Sequence, residues 1–251
     1  MNVTLPVLRW GTGERRVLLV HGLSSSAQTW WRVASRLAGA GWSVAAPDLR
    51  GHGRAPVADS YTFAEMAADL NALGDGWDVV VGHSLGGALA VVAGSSAGWT
   101  EQLVLVDPAL RISEDRFDAV RDAEIAELEA SAVDAILAAH PEWHPEDARL
   151  KSLAVRATSA HVIEAIFSDN RPWDFVGALE VLPVPAHVLG ADPLAGGIFD
   201  PALGLELAEA RPHVTYEMAV GHGHSIHREN PTVVVDAVEV VAARPRRPVA
   251  S

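Results

Sequence analysis

Cysteine is absent from the 251-residue chain, which excludes disulfide frameworks, thiolate nucleophiles and cysteine-based metal sites. Apolar runs are short, and none approaches the roughly eighteen residues of a membrane-spanning helix. The opening MNVTLPVLRWGTG lacks the basic start and apolar centre of a secretory signal. Positive charge is scarce too. Nineteen Lys and Arg stand against 32 Asp and Glu, a formal net charge of −13, and a field of that sign repels phosphate backbones and anionic membranes. Neither nucleic acid nor a membrane is an expected partner, and the cytoplasm is the expected location. The basic cluster Arg244, Arg246 and Arg247 is interleaved with Pro245 and Pro248 at the end of the sequence, which reads as a solvated tail.

Apolar residues make up 49% of the chain and charged residues 20%, the balance of a folded globular body rather than a disordered one. The first part alternates strand-like and helix-like segments: RRVLLV, TWWRVASRLAGAG, WSVAAPD, FAEMAADLNALG, WDVVVGHS, GALAVVAGSSAG and QLVLVDP. Strands that are nearly continuously apolar, each followed by a helix, predict a mostly parallel central sheet with helices on both faces. From Arg111 to Ser168 the pattern changes to helix after helix, with Ser113 placed to start the first of them and PEDARLKSLAVRATSAHVIEAIF read as a single helical stretch. The alternation then resumes through VPAHVLGADP, PALGLELAEARP, VTYEMAVGHGH and NPTVVVDAVEVVAAR. The predicted organisation is one α/β core, residues 1–110 and 170–251, interrupted by a helical insertion over 111–169.

GHSLGG, Gly82 to Gly87, stands where a strand passes into a helix. A serine among glycines there can merely cap the helix. It also fits the G-x-S-x-G elbow, in which small neighbours let a strained turn present the serine hydroxyl as a nucleophile. Such a hydroxyl needs an imidazole to accept its proton and return it to the leaving group. VGHGHSIHRENP holds three candidates, with His224 preferred and His222 and His227 as alternatives. The closely spaced histidines also raise a zinc site, but no HExxH pattern is present, and no metal is expected. The imidazole in turn needs a carboxylate to fix its tautomer. Asp192, in the loop after VPAHVLGA, is the expected acid on chain order and strand-end placement, with Asp107 at the end of QLVLVDP as its rival. HGL after RRVLLV offers the Leu23 N–H and the residue after the serine offers the Leu85 N–H, two donors for an oxyanion.

These motifs, HGLSSS, APDLRGHGRAP, GHSLGG, LVDP, LGADP and GHGHSIHRENP, resemble the α/β-hydrolase fold superfamily over nearly the whole chain. The resemblance implies that the loop DLRGHG borders the site, that Ser84 is the nucleophile and that His224, within Gly221-His222-Gly223-His224, is the base. It also implies that 111–169 is a lid over the site. GHSLGG is similar to the esterase and lipase versions. Relatives that dehalogenate or open epoxides carry Asp at the serine position, so Ser84 argues against both chemistries.

The expected activity is hydrolysis of a small carboxylic ester or lactone through an acyl-enzyme on Ser84, without a cofactor. The alternatives are cleavage of another acyl bond, an amide or a C–C bond beside a carbonyl, or a noncatalytic small-molecule receptor. Among the eight tryptophans, Trp30 near the HGL loop and Trp143 in the insertion are the candidate substrate contacts. His140 and His144 in HPEWHP read as a solvated turn.

Overall fold

The computed structural model describes residues 3–244. Pro245, Arg246, Arg247 and Pro248 of the expected tail lie outside them. The described residues form a seven-stranded sheet in the order β1-β3-β2-β4-β5-β6-β7. Its strands are β1 (Val7–Trp10), β2 (Arg15–Val20), β3 (Trp42–Pro47), β4 (Val79–His83), β5 (Leu103–Val106), β6 (Ala186–Ala191) and β7 (Val214–Ala219). All neighbours pair in parallel except β1, which runs antiparallel to β3 at the edge. The expected α/β fold is therefore observed. The antiparallel edge strand is an addition, because VLRW is only half-buried and four residues long and carries no strong apolar signal.

Side chains of a strand alternate between faces, and two separate cores follow. Leu18, Val20, Val80, Leu103, Leu105 and Val188 point to one face. There they meet α2 (Phe63–Asn71), α3 (Leu85–Ala93) and, through Leu207, α9 (Pro201–Ala210). Val17, Leu19, Val79, Val81, Val104 and Leu189 point to the other, against α1 (Trp31–Gly39) and α11 (Pro231–Ala242), which follows the short α10 (Ile226–Glu229). Burial on both faces is why these strands read as apolar throughout.

Between β5 and β6 the chain forms α4 (Phe117–Glu127), α5 (Val133–Ala139), α6 (Pro145–Arg156), α7 (Ala160–Asp169) and α8 (Val176–Glu180). Ser113 does not cap the first of these. Its carbonyl accepts the Arg116 N–H in a turn, and α4 begins at Phe117. The stretch read as one helix from Pro145 is two, because the Ser159 hydroxyl accepts the Val162 N–H and opens α7. This helical segment is tied to the sheet domain by polar contacts. Trp31 Nε1 and Arg32 both donate to Asp147 of α6, at 2.7 and 3.1 Å. At its other end, Asp169 and Asn170 accept the N–H groups of Tyr61 and Phe63.

The DLRGHG loop after β3 is anchored by a buried ion pair, Arg50 Nε to Asp69 Oδ2 at 2.7 Å, with both side chains 1% exposed. Removing one member of such a pair leaves an undercompensated buried charge. Asp69→Ala is expected to lower stability by about 3 kcal/mol, the low end of the usual range because Glu65 stays 3.6 Å from Arg50. A urea-unfolding midpoint measures it.

Candidate active site

Ser84 sits between β4 and α3 with φ 53° and ψ −120°, a backbone region that side chains other than glycine rarely enter. Four backbone hydrogen bonds hold it there: Ser84 N–H donates to Val106 O at 3.1 Å, and its carbonyl accepts the Gly87, Ala88 and Ala109 N–H groups. Small neighbours make the turn possible. A Cβ on Gly86 would collide with the carbonyl oxygens of Val20 and His21, and one on Gly22 would stand 3.0 Å from Ser84 Cβ. The HGL loop thus packs directly on the elbow.

That loop is fixed from behind. His21 Nδ1–H donates to Gly22 O at 2.8 Å while its Nε2 accepts the Leu49 N–H at 3.0 Å, which assigns the tautomer. Burial lowers the His21 pKa to about 4, so the ring is neutral and keeps both bonds at neutral pH. Asp48 accepts the Ala27 and Arg54 N–H groups and links the HGLSSS and DLRGHG loops. Leu23 borders the same cavities as Ser84. Leu85 is the first residue of α3, and the N–H groups of a helix's first turn have no acceptor within the helix.

His224, after β7, donates from Nδ1 to Asp107 Oδ2 at 2.6 Å. Asp107 is fully buried, with φ 40°. Burial alone would push its carboxyl up. The hydrogen bond from His224 and those from the N–H groups of Ile198 and Ala191 outweigh that and hold it below the ordinary aspartate value. Its Oδ1 also accepts the Phe199 N–H at 3.1 Å. An ionised carboxylate only accepts, so the His224 proton is on Nδ1 and Nε2 is left free to take one. Ser84 and His224 both border two cavities.

This placement corrects the expected partner of His224, which is Asp107 and not Asp192. Asp192 lies one strand further along the sheet and does not reach His224. Its carboxylate accepts the Leu194 and Gly221 N–H groups, each at 2.9 Å, and stabilises the loops after β6 and β7. Chain order never separated the two, since both aspartates fall between Ser84 and His224. A signal did exist: Asp107 is flanked by LVLV and by Pro108, Ala109 and Leu110, a context that buries a carboxylate and obliges it to find donors, whereas Asp192 precedes the loop PLAGG.

The other histidines diverge. His227 is buried against Trp30, ring centroids 4.6 Å apart, and burial drives its pKa well below the ordinary value. His222 bonds Val220 O through Nδ1. His83, which sequence reasoning passed over, bonds the His224 carbonyl through Nε2 at 2.9 Å and packs 4.6 Å from the His224 ring. Among the described residues no group of three or more His, Cys, Asp or Glu is arranged to hold a metal ion, and no helix is long and apolar enough to cross a membrane.

Trp30 is a second correction: it is fully buried in the core against α1 and is not among the described residues lining either cavity. Its distance along the chain from the HGL loop was a poor guide, because the chain turns inward there through the short 3-10 helix Ala27–Trp30. Trp143 does line a cavity, stacked on His140 at 4.1 Å. His144 caps α6, accepting the Glu146 N–H.

Comparison with known proteins agrees with this architecture. The sequence pattern described as "Alpha/beta hydrolase family" matches residues 17–237. The lipase LipV of Mycobacterium tuberculosis is 42% identical over 132 residues, a match that spans half of this chain and half of the lipase. N-formylmaleamate deformylase of Pseudomonas putida is 28% identical over 235 residues, 87% of this chain and 85% of the deformylase. An esterase from Exiguobacterium antarcticum shares the fold, with a TM-score of 0.78 over 96% of each chain at 17% identity.

Proposed function

Because the chain belongs to the alpha/beta hydrolase family, we propose that it is a serine hydrolase that cleaves a carboxylic ester or lactone through an acyl-enzyme on Ser84. The observation that carries this reading is the 2.6 Å bond from His224 Nδ1 to Asp107, made beside a serine in a strained elbow. The Ser84 hydroxyl attacks the carbonyl carbon as His224 Nε2 takes its proton, and the oxyanion that forms accepts the Leu23 and Leu85 N–H groups. The imidazolium, stabilised by Asp107, then protonates the departing alcohol. Water repeats the sequence in reverse and frees the acid. All groups come from the chain, so no cofactor enters.

In the same reading, residues 111–169 act as a cap, since Glu124, Glu127, His140, Trp143 and Lys151 of the helical segment wall a cavity that also contains Ser84. Hydrolysis of an N-acyl bond by the same residues is the second reading, favoured by the likeness to N-formylmaleamate deformylase over most of both chains. A fluorophosphonate probe tests the serine reading: it is expected to label Ser84 stoichiometrically and to abolish turnover of 4-nitrophenyl esters. An unlabelled, inert wild-type protein would sink the proposal. A panel pairing each ester with its amide separates the two readings.

A further inference from the structure

Ser84, Leu23, Glu124 and His224 stand where two cavities of different character meet. One, of about 520 Å³, is walled mainly by apolar residues, among them Leu85, Leu110, Ile112, Phe167 and Trp173, with Arg111, Arg116 and Asp200 also on its lining. The other, of about 650 Å³, is polar and is walled in part by Lys151 and Arg228. An ester centred on Ser84 has an apolar side and a polar side available to it.

Arg228 is the unusual member. It is 3% exposed, and burial lowers its pKa to about 10, so it is charged at neutral pH. A guanidinium has five N–H donors. One donates to Ser225 Oγ at 3.0 Å and one to Ser25 Oγ at 3.1 Å, while Nε–H has no partner. One face covers the Trp143 ring at 4.8 Å. Arg228 makes no ion pair among the described residues: Asp147 is taken by Arg32, and Glu127 by Lys151 at 2.8 Å. The other carboxyls around this cavity offer it little. Glu229 accepts the Gly223 N–H at 2.7 Å, Glu142 stands 3.5 Å from His140, and burial pushes the Glu124 carboxyl up towards its neutral form.

A buried cation held only by two hydroxyls and a ring is poorly compensated, and here it borders the cavity of the candidate nucleophile. We infer that Arg228 is the anchor for a carboxylate on the substrate, so that the preferred ester or amide carries an anionic group on one side of the scissile bond and an apolar group on the other. The inference rests on the serine-hydrolase reading for the reaction, but not for the binding. A planar carboxylate matches the guanidinium fork through two parallel N–H···O bonds, and an anchor that holds ground state and transition state equally acts mainly on KM.

The test uses two matched pairs, mono(4-nitrophenyl) glutarate against 4-nitrophenyl pentanoate and 4-(butyryloxy)benzoate against its methyl ester, so that the carboxylate lies on the acyl or on the alcohol side. In at least one pair the wild type is expected to favour the anionic member in kcat/KM. Arg228→Met is expected to reduce that anionic-to-neutral ratio by about tenfold to a hundredfold, mostly through KM, and Arg228→Lys to restore part of it. As a measure that needs no variant, glutarate is expected to compete with 4-nitrophenyl butyrate on the wild type where glutaramide does not. No preference in either pair together with no glutarate competition overturns the inference while leaving Ser84 labelling, and the hydrolase reading, intact. Conversely, a protein inert to esters and to the fluorophosphonate that still binds glutarate in calorimetry, with Arg228→Met abolishing the binding, supports the anionic site and fails the hydrolase reading.

Discussion

Ser84→Ala is expected to reduce turnover of any ester the protein accepts by up to about a millionfold in kcat, the loss seen when the nucleophile of an unrelated serine protease is removed. The change deletes the attacking oxygen and little else. Alanine meets the same backbone penalty at φ 53° as serine does, and the Ser84 hydroxyl makes no capping hydrogen bond to α3. The thermal midpoint should therefore stay close to that of the wild type. Ser84→Gly is expected to be equally inert and at least as stable as Ser84→Ala, since glycine enters this region without a Cβ clash. Turnover by Ser84→Ala near the wild-type rate would remove the nucleophile from Ser84. His224→Ala should fall with it. His222→Ala should cost little, and His227→Ala should cost stability, through the void left beside Trp30, more than rate.

How much of this was legible in the sequence depended on whether a signal was local. The five inner parallel strands and their crossover helices were legible because burial on both faces leaves an unbroken apolar run bounded by turns, as in RRVLLV and LVLVDP. The elbow was legible because Gly86 is required by close approach to Val20 and His21, and Gly82 by close approach to Gly86, a constraint written directly into residue type. His224 is favoured by its place after Gly223 and before a helix-starting stretch, and the family resemblance separates it from its two neighbours. The edge strand β1 and the break at Ser159 were less visible, the first for want of burial and the second because a serine cap also fits within a helical pattern. Partnership between distant residues was least visible. Nothing near Asp107 in sequence says that it lies beside His224. That follows from the order in which β5, β6 and β7 are laid down and from the loop after β7 folding back to β5.

Asp107 is where this distinction has its largest consequence. Its carboxylate accepts the Ala191 and Phe199 N–H groups on Oδ1, and the Ile198 N–H and His224 Nδ1–H on Oδ2. An asparagine must turn its NH2 towards one of these pairs. The Oδ1 side faces two backbone donors that cannot change, so the NH2 is expected on the Oδ2 side, where only the imidazole can respond. His224 then takes the other tautomer, with the proton on Nε2, and can no longer accept from Ser84. Asp107→Asn is therefore expected to lower kcat by about ten-thousandfold, as the corresponding change does in chymotrypsin-like serine proteases, and to lower stability by about 1–3 kcal/mol because the Ile198 N–H loses its acceptor. The stability loss should depend on pH. A carboxyl whose folded pKa lies below its unfolded one contributes stability that is complete above the ordinary aspartate value, about 4, and is lost as pH falls through the lower folded value. Wild type and Asp107→Asn should thus differ fully at pH 7 and converge below about pH 4. Asp192→Asn, in contrast, keeps an oxygen for one of two loop N–H groups at a partly exposed site and is expected to change kcat by no more than a few-fold. Stopped-assay kinetics on the two variants with one ester decide the matter. The opposite ranking would return the acid to Asp192, and a small effect from both would mean that Ser84 and His224 work without a carboxylate.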